Sequence, residues 1–252
     1  MKAVEERLRD EQDFHNQIFE EQTRDKVGRF YAINKSIHES YEDFILSHPQ
    51  SKTYLEYGCG MGKGDRLEEL AKQGANCHGI DISDYAINQL SGEAQEKKLN
   101  IDYQVMNAEE MTFKDDYFDV IFGTGILHHL DLEKAYKSIS EKLKPDGTAI
   151  FIEPLGHNPI INGFRNKTPE IRTEDEHPLL MKDLKQAESY FENIEVKHFY
   201  LTTLALPLVF KKNIPNGLLK FFNGVDGILF KILPFLRKHS WQVLLKFSGS
   251  KR

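Results

Sequence analysis

Tyr54-Leu55-Glu56-Tyr57-Gly58-Cys59-Gly60-Met61-Gly62 is the stretch whose reading decides the fold. Its first part is an apolar, β-prone run. It breaks into three glycines at alternate positions, and a helical pattern follows. Glycine lets the backbone turn tightly and lets a ligand lie directly against it. The helix behind such a loop offers unpaired N–H groups and the positive end of its dipole. The combination reads as a nucleotide-type cofactor site on an α/β sheet. The spacing is not that of the dinucleotide fingerprint G-x-G-x-x-G. Read from Gly58, that pattern needs glycine where Lys63 stands; read from Gly60, it needs glycine where Asp65 stands.

Further segments follow in register. The run Asn76-Cys77-His78-Gly79-Ile80 ends at Asp81, 19 residues after Gly62. An acid at the tip of a second strand can accept hydrogen bonds from ribose hydroxyls. Ser83 is the better N-cap for the helical run Tyr85–Leu90, which leaves Asp81 for a ligand. A third strand, Ile101–Met106, runs into Asn107-Ala108-Glu109. A fourth, Tyr117-Phe118-Asp119-Val120-Ile121-Phe122-Gly123-Thr124, leads to Leu127-His128-His129-Leu130. Leu143-Lys144-Pro145-Asp146-Gly147 reads as a turn before a fifth strand, Thr148–Pro154, which carries Glu153.

Glu56-x-Gly58-x-Gly60-x-Gly62, Asp81, Asn107-Ala108, the Phe118-Asp119 strand with Leu127-His128-His129-Leu130, and Leu143–Gly147 occur in one order. Together they resemble the class I S-adenosylmethionine-dependent methyltransferases. Asn107 stands where that family often has aspartate, and Asp146 where glycine is usual. The resemblance covers residues 52–154 and weakens beyond. It implies a Rossmann-like, doubly wound α/β fold with a seven-stranded sheet of order 3-2-1-4-5-7-6, the last strand antiparallel. It also implies S-adenosylmethionine as cofactor and methyl transfer to an O, N or C nucleophile of a small molecule, with a lipophilic natural-product or quinone-like intermediate among the expected acceptors. On the same resemblance Gly58, Cys59 and Gly60 meet the methionine part and Asp81 the ribose. Ile82, Asn107, Ala108 and Glu109 surround adenine, and Gly123 and Thr124 lie beneath the sulfonium and amino group. Glu56 orients the loop or the amino group. Two other readings stand beside it: an NAD(P)-dependent oxidoreductase, and a non-catalytic protein that binds S-adenosylmethionine.

A hydroxyl or ammonium acceptor must lose a proton, and histidine titrates near neutral pH. His128 is the favoured base among His15, His128, His129, His157 and His177; its bland alternative is a packing histidine ahead of a helix capped by Asp131. Glu153 is a second candidate, as base or substrate anchor. Residues 155–178 follow the fifth strand and should overhang the crevice at the strand ends. There His157, Arg165, Arg172 and His177 are candidates for gripping a polar or anionic substrate, while the resemblance alone implies that His15 and Tyr31 close the pocket from the N-terminal helices. No metal is expected, since no cluster of His and Cys has ligand spacing along the chain.

The 252 residues are 40% hydrophobic and 29% charged, enough for one well-buried α/β domain with additions. Residues 1–50 have the pattern of two or three amphipathic helices, a cap ahead of the domain at 51–252. The final two strands are expected at Ile194–Tyr200 and Trp241–Phe247, with a helix over 179–192. Between those strands, 201–240 is an insert in which Leu218, Phe221, Phe222, Val225, Ile228, Leu229 and Ile232 fall at helical spacing. Net charge is −6, which disfavours a general nucleic-acid surface. Yet residues 211–252 hold nine Lys or Arg and one Asp. A basic, aromatic amphipathic stretch suits either a roof over the sheet or peripheral contact with a membrane. Two cysteines, no apolar N-terminal signal and no run long enough to span a bilayer lead to the expectation of a cytoplasmic protein with reduced thiols.

Overall fold

The computed structural model describes residues 4–21, 28–47, 49–61, 65–168, 176–210 and 213–251. Three helices come first: α1 (Val4–Glu21), α2 (Gly28–Tyr31) and α3 (Lys35–Ile45). Strand and helix then alternate: β1 (Thr53–Tyr57), α4 (Arg66–Lys72), β2 (Asn76–Asp81), α5 (Asp84–Glu96) and β3 (Ile101–Val105). β4 (Phe118–Thr124), α6 (Leu132–Lys142) and β5 (Leu143–Pro154) follow, then α7 (Pro159–Arg165), α8 (Met181–Gln186) and β6 (Phe191–Phe199). α9 (Ala205–Phe210) and α10 (Asn216–Ile232) precede the last strand, β7 (Gln242–Ser250). The seven strands lie in the order β3-β2-β1-β4-β5-β7-β6, as expected. β1 to β5 are parallel, and β7 runs antiparallel to both β5 and β6.

Burial on both faces explains the uninterrupted apolar strands. On one face Tyr54, Phe122, Ile150 and Leu244 pack with Ile37, Tyr41 and Ile45 of α3 and with Leu67 and Leu70 of α4. On the other, Leu55, Tyr57, Ile121, Phe151 and Leu245 pack with Tyr136 and Ile139 of α6 and with Leu184 of α8. The period-two split between Tyr54 and Leu55 is that of a pleated strand.

Two boundaries differ from the sequence reading. Leu143–Gly147 is not a turn but the start of β5: Leu143 pairs with Phe118, and the register then jumps so that Thr148 faces Val120. The extra residues form a bulge, which keeps the backbone in the sheet while absorbing Pro145 and Gly147. The helix expected to reach residue 192 ends at Gln186, and β6 starts at Phe191 rather than Ile194, because the fully packed Phe191 pairs with Ser250. The insert is helical as expected. Buried Asp226 of α10 accepts from the backbone N–H of Leu201 (2.9 Å) and of Thr202 (2.7 Å) and from the Thr203 hydroxyl (2.6 Å), which ties α10 to the end of β6. No helix among the described residues is long and apolar enough to cross a membrane. Cys59 and Cys77 are both free thiols.

Candidate active site

The parallel strands deliver their carboxyl ends to one edge, where ligands bind in such sheets. At the end of β1 the N–H groups of Gly58 and Cys59 both donate to the Ile80 carbonyl, at 2.9 and 3.0 Å. Gly58 has φ +72° and Gly60 φ +50°. A Cβ on Gly58 would lie 2.7 Å from Ile126 Cγ1, so both the backbone conformation and the space demand glycine there. Asp81 holds the loop from the tip of β2: its Oδ2 accepts from Gly60 N (2.8 Å) and its Oδ1 from Ser83 N (2.9 Å). Ser83 itself caps α5, accepting from Ala86 N, as its position suggested. Gly62, the third glycine, lies outside the described residues. Glu56 is buried beside the Arg66 guanidinium at 3.7 Å, and Arg66 also reaches Glu42 at 3.6 Å. Burial pushes the Glu56 carboxyl up to about 7, with Arg66 opposing the shift.

α1 lies along this edge. Gln12 Nε2 donates to the Ile82 carbonyl (2.8 Å), and Asn16 bonds both Asp84 (2.8 Å) and the Ser83 hydroxyl (2.5 Å). Asn107 caps a short 3-10 turn by accepting from Glu109 N (3.0 Å), and the Ala108 carbonyl accepts from the Tyr57 hydroxyl (2.5 Å). Glu109 is nearly solvent-free. Its carboxylate accepts from Arg7 of α1 (2.5 Å) and from Asp131 N at the start of α6 (2.8 Å). In this structure it therefore ties α1 to α6.

β4 ends at Gly123 and Thr124. A Cβ on Gly123 would meet the Tyr57 carbonyl at 2.6 Å, so this glycine lets β4 and β1 converge. Beyond them, Glu153 on β5 has no exposed surface. Its Oε1 accepts from Ile126 N (2.9 Å) and Leu127 N (2.8 Å), and its Oε2 meets His128 Nδ1 at 2.7 Å. A carboxylate oxygen accepts, so Nδ1 is the donor in this contact. Glu153, expected as base or substrate anchor, is enclosed, with three donors closing on its carboxylate. His128 Nε2 is 3.8 Å from Glu176 Oε1, and Glu176 also binds Arg165 at 2.8 Å. The His128 carbonyl accepts from His177 N (3.1 Å). Glu11 and His15 of α1 complete the surroundings. Glu11 Oε2 lies 3.4 Å from His15 Nε2 and 3.5 Å from His129 Nδ1.

Of the residues singled out in the sequence, His15, His128, Glu153, Arg165 and His177 thus come to one place. Two others do not join them. Tyr31 stacks edge-on against Trp241 at 5.5 Å, and His157 accepts from Met181 N while its carbonyl binds His239. Arg172 lies outside the described residues. The chain also brings in residues that the sequence reading passed over: Arg7, Glu11, Gln12 and Asn16 of α1, and Glu176. The only signal for them was local, Glu11 and His15 being four apart on one helical face.

A family profile described as a methyltransferase domain matches residues 55–151. The ubiquinone biosynthesis O-methyltransferase of Coxiella burnetii is 34% identical over 103 residues, which cover 40% of this chain and 43% of that protein. Phosphoethanolamine N-methyltransferase 2 of Caenorhabditis elegans is 31% identical over 123 residues, 48% of this chain and 27% of that one. The chain therefore spans less than half the length of these relatives. Among solved structures, phosphoethanolamine N-methyltransferase 2 of Haemonchus contortus in complex with S-adenosyl-L-methionine superimposes with a TM-score of 0.63 at 17% identity, over 94% of this chain and 60% of that one. Geranyl diphosphate C-methyltransferase from Streptomyces coelicolor gives 0.58 at 14% identity, over 85% and 80%. These structural likenesses concern the fold. Motifs, sheet order and profile agree: residues 55–151 match a methyltransferase domain, set in a sheet of the order expected for the class I S-adenosylmethionine-dependent methyltransferases.

Proposed function

We propose that this chain transfers a methyl group from S-adenosylmethionine to a hydroxyl or amine of a small molecule, with His128 taking the acceptor's proton. The observation that carries the reading is the strand-end assembly: a left-handed glycine loop, Asp81 at the tip of β2, and a buried carboxylate bonded to His128 Nδ1. The cofactor supplies an activated methyl group, so the protein needs no covalent chemistry of its own. Its tasks are to hold the acceptor on line with the methyl and to take up a proton. Gly58, Cys59 and Gly60 offer backbone for the methionine moiety. Asp81 offers its remaining lone pairs to the ribose, and Ile82, Asn107 and Ala108 border the adenine. Glu153 keeps His128 in the tautomer that can accept a proton, and the Arg165–Glu176 ion pair borders the His128 ring.

The sheet order supports this reading over a dinucleotide oxidoreductase, whose usual order is 3-2-1-4-5-6 without an antiparallel β7. Proteins named as O-, N- and C-methyltransferases are all similar to this chain, which supports an acceptor atom chosen outside the matched core, by α1, the segment after β5 and the insert. The insert also supports peripheral membrane contact. Phe221, Ile228 and Ile232 of α10 and Phe235 after it are each more than half exposed, beside Lys220, Lys231, Arg237 and Lys238. Incubation with S-adenosylmethionine labelled in the methyl group and a metabolite extract tests the reaction. A labelled small molecule, formed far more slowly by His128→Asn, is the expected result; label appearing in no product, or a His128→Asn variant as fast as wild type, would overturn it.

A further inference from the structure

α1 and the turn after β4 bring together three potential metal donors that lie far apart in sequence. Glu11 and His15 are one helical turn apart, and His129 follows β4. Their donor atoms lie within 4.8 Å of one another. Glu11 Oε2 is 3.4 Å from His15 Nε2 and 3.5 Å from His129 Nδ1. These separations are too long for good hydrogen bonds, which run from about 2.7 to 3.2 Å. They match the edge of a tetrahedron of donors around zinc, about 3.4 Å for bonds of about 2.0 to 2.1 Å. Glu11 and His129 are buried, and His15 is only slightly exposed. His129 Nδ1 is buried, 3.5 Å from Glu11 Oε2, and has no hydrogen-bond partner among the described residues. Leaving such a nitrogen without a bond is unfavourable.

We propose that Glu11, His15 and His129 bind a divalent transition-metal ion of the zinc class. Two imidazoles and one carboxylate make a donor set that zinc accepts, and a tetrahedral ion held by three protein donors keeps a fourth position for water or an acceptor oxygen. An alternative set, His128, His129 and Glu176, shares His129. It is the poorer one, because Glu176 is engaged by Arg165 at 2.8 Å. The ion would latch α1 onto the β4 edge, beside the contacts of Gln12 with Ile82 and Asn16 with Asp84. The inference stands on donor geometry and not on the methyl-transfer reading, so either can fail alone.

The test is a titration of the full, metal-stripped chain with zinc chloride by calorimetry and with cobalt(II) by visible absorption. One ion per chain and the intense bands of tetrahedral cobalt are expected. His129→Ala, Glu11→Gln and His15→Gln should each weaken binding at least about tenfold, while His239→Ala, remote from the set, should not. S-adenosylmethionine titration of the metal-free variants reports separately on the cofactor site, and circular dichroism on the fold. His15 is the most exposed of the three donors, so His15→Gln keeps the test usable if a core variant unfolds. A wild-type chain that binds neither ion, or binds both equally well after these substitutions, would overturn the proposal.

Discussion

Glu153→Gln is the perturbation that separates a positioned base from a packed histidine. Glu153 is fully enclosed and accepts three hydrogen bonds, two from backbone N–H groups and one from His128 Nδ1. Glutamine is nearly isosteric, and its single oxygen can keep both backbone donors. Its NH₂ must then face Nδ1. Two donors cannot face each other, so His128 must shift to the tautomer with the proton on Nε2, which removes the lone pair that would take a substrate proton. Stability should fall by about 2–3 kcal/mol, the worth of a charge-assisted hydrogen bond in the interior. Turnover should fall roughly 10²- to 10⁴-fold, the usual contribution of a general base, with little change in cofactor affinity. Denaturant unfolding gives the first figure. Long-range ¹H–¹⁵N spectra of the His128 ring report the tautomer directly, without a known acceptor. A variant as stable as wild type, with Nε2 still unprotonated, would refute the reasoning.

Gly58→Ala combines a left-handed backbone with a Cβ set 2.7 Å from Ile126, so it should cost at least about 1–2 kcal/mol in unfolding experiments; an unchanged melting temperature would show that the loop can relax. Burial raises the Glu56 carboxyl from 4.5 to about 7, so folding takes up a proton there. The resulting stabilisation is fully present below about pH 4.5 and is lost as pH rises through about 7, amounting to at most about 3 kcal/mol. Glu56→Gln should remove that slope from a series of unfolding curves, and a variant that retains it would assign the slope to another group. The exposed face of α10 should sediment the full chain with anionic phosphatidylglycerol vesicles but not with phosphatidylcholine, an effect weakened by salt. The triple variant Phe221→Ser, Ile228→Ser, Ile232→Ser should stay in solution; equal sedimentation of variant and wild type would exclude this face.

The sheet was legible because its strands are apolar on both faces and end in residues that local chemistry marks: glycines at a tight turn, Asp81 before the Ser83 cap, and the histidine pair after β4. The bulge in β5 was hidden because Pro145 and Gly147 are turn residues by local preference, and the pairing of Leu143 with Phe118 overrides that preference. The early start of β6 depends likewise on a partner, Ser250, some 60 residues away. Glu153 illustrates the limit for the site. A carboxylate at a strand end reads as reactive until three donors are seen closing around it. The assembly of Glu11 and His15 with His129 was out of reach for a similar reason: periodicity reveals that α1 has a packing face but not which surface it covers.

The central claim is that the strand-end crevice binds S-adenosylmethionine, and calorimetric titration tests it most directly. One molecule of S-adenosylmethionine, or of its demethylated product, should bind per chain, at least about tenfold more weakly after Asp81→Ala, while NADH gives no heat of binding. No binding of either sulfur compound, saturable binding of NADH, or an Asp81→Ala variant with unchanged affinity would contradict the account.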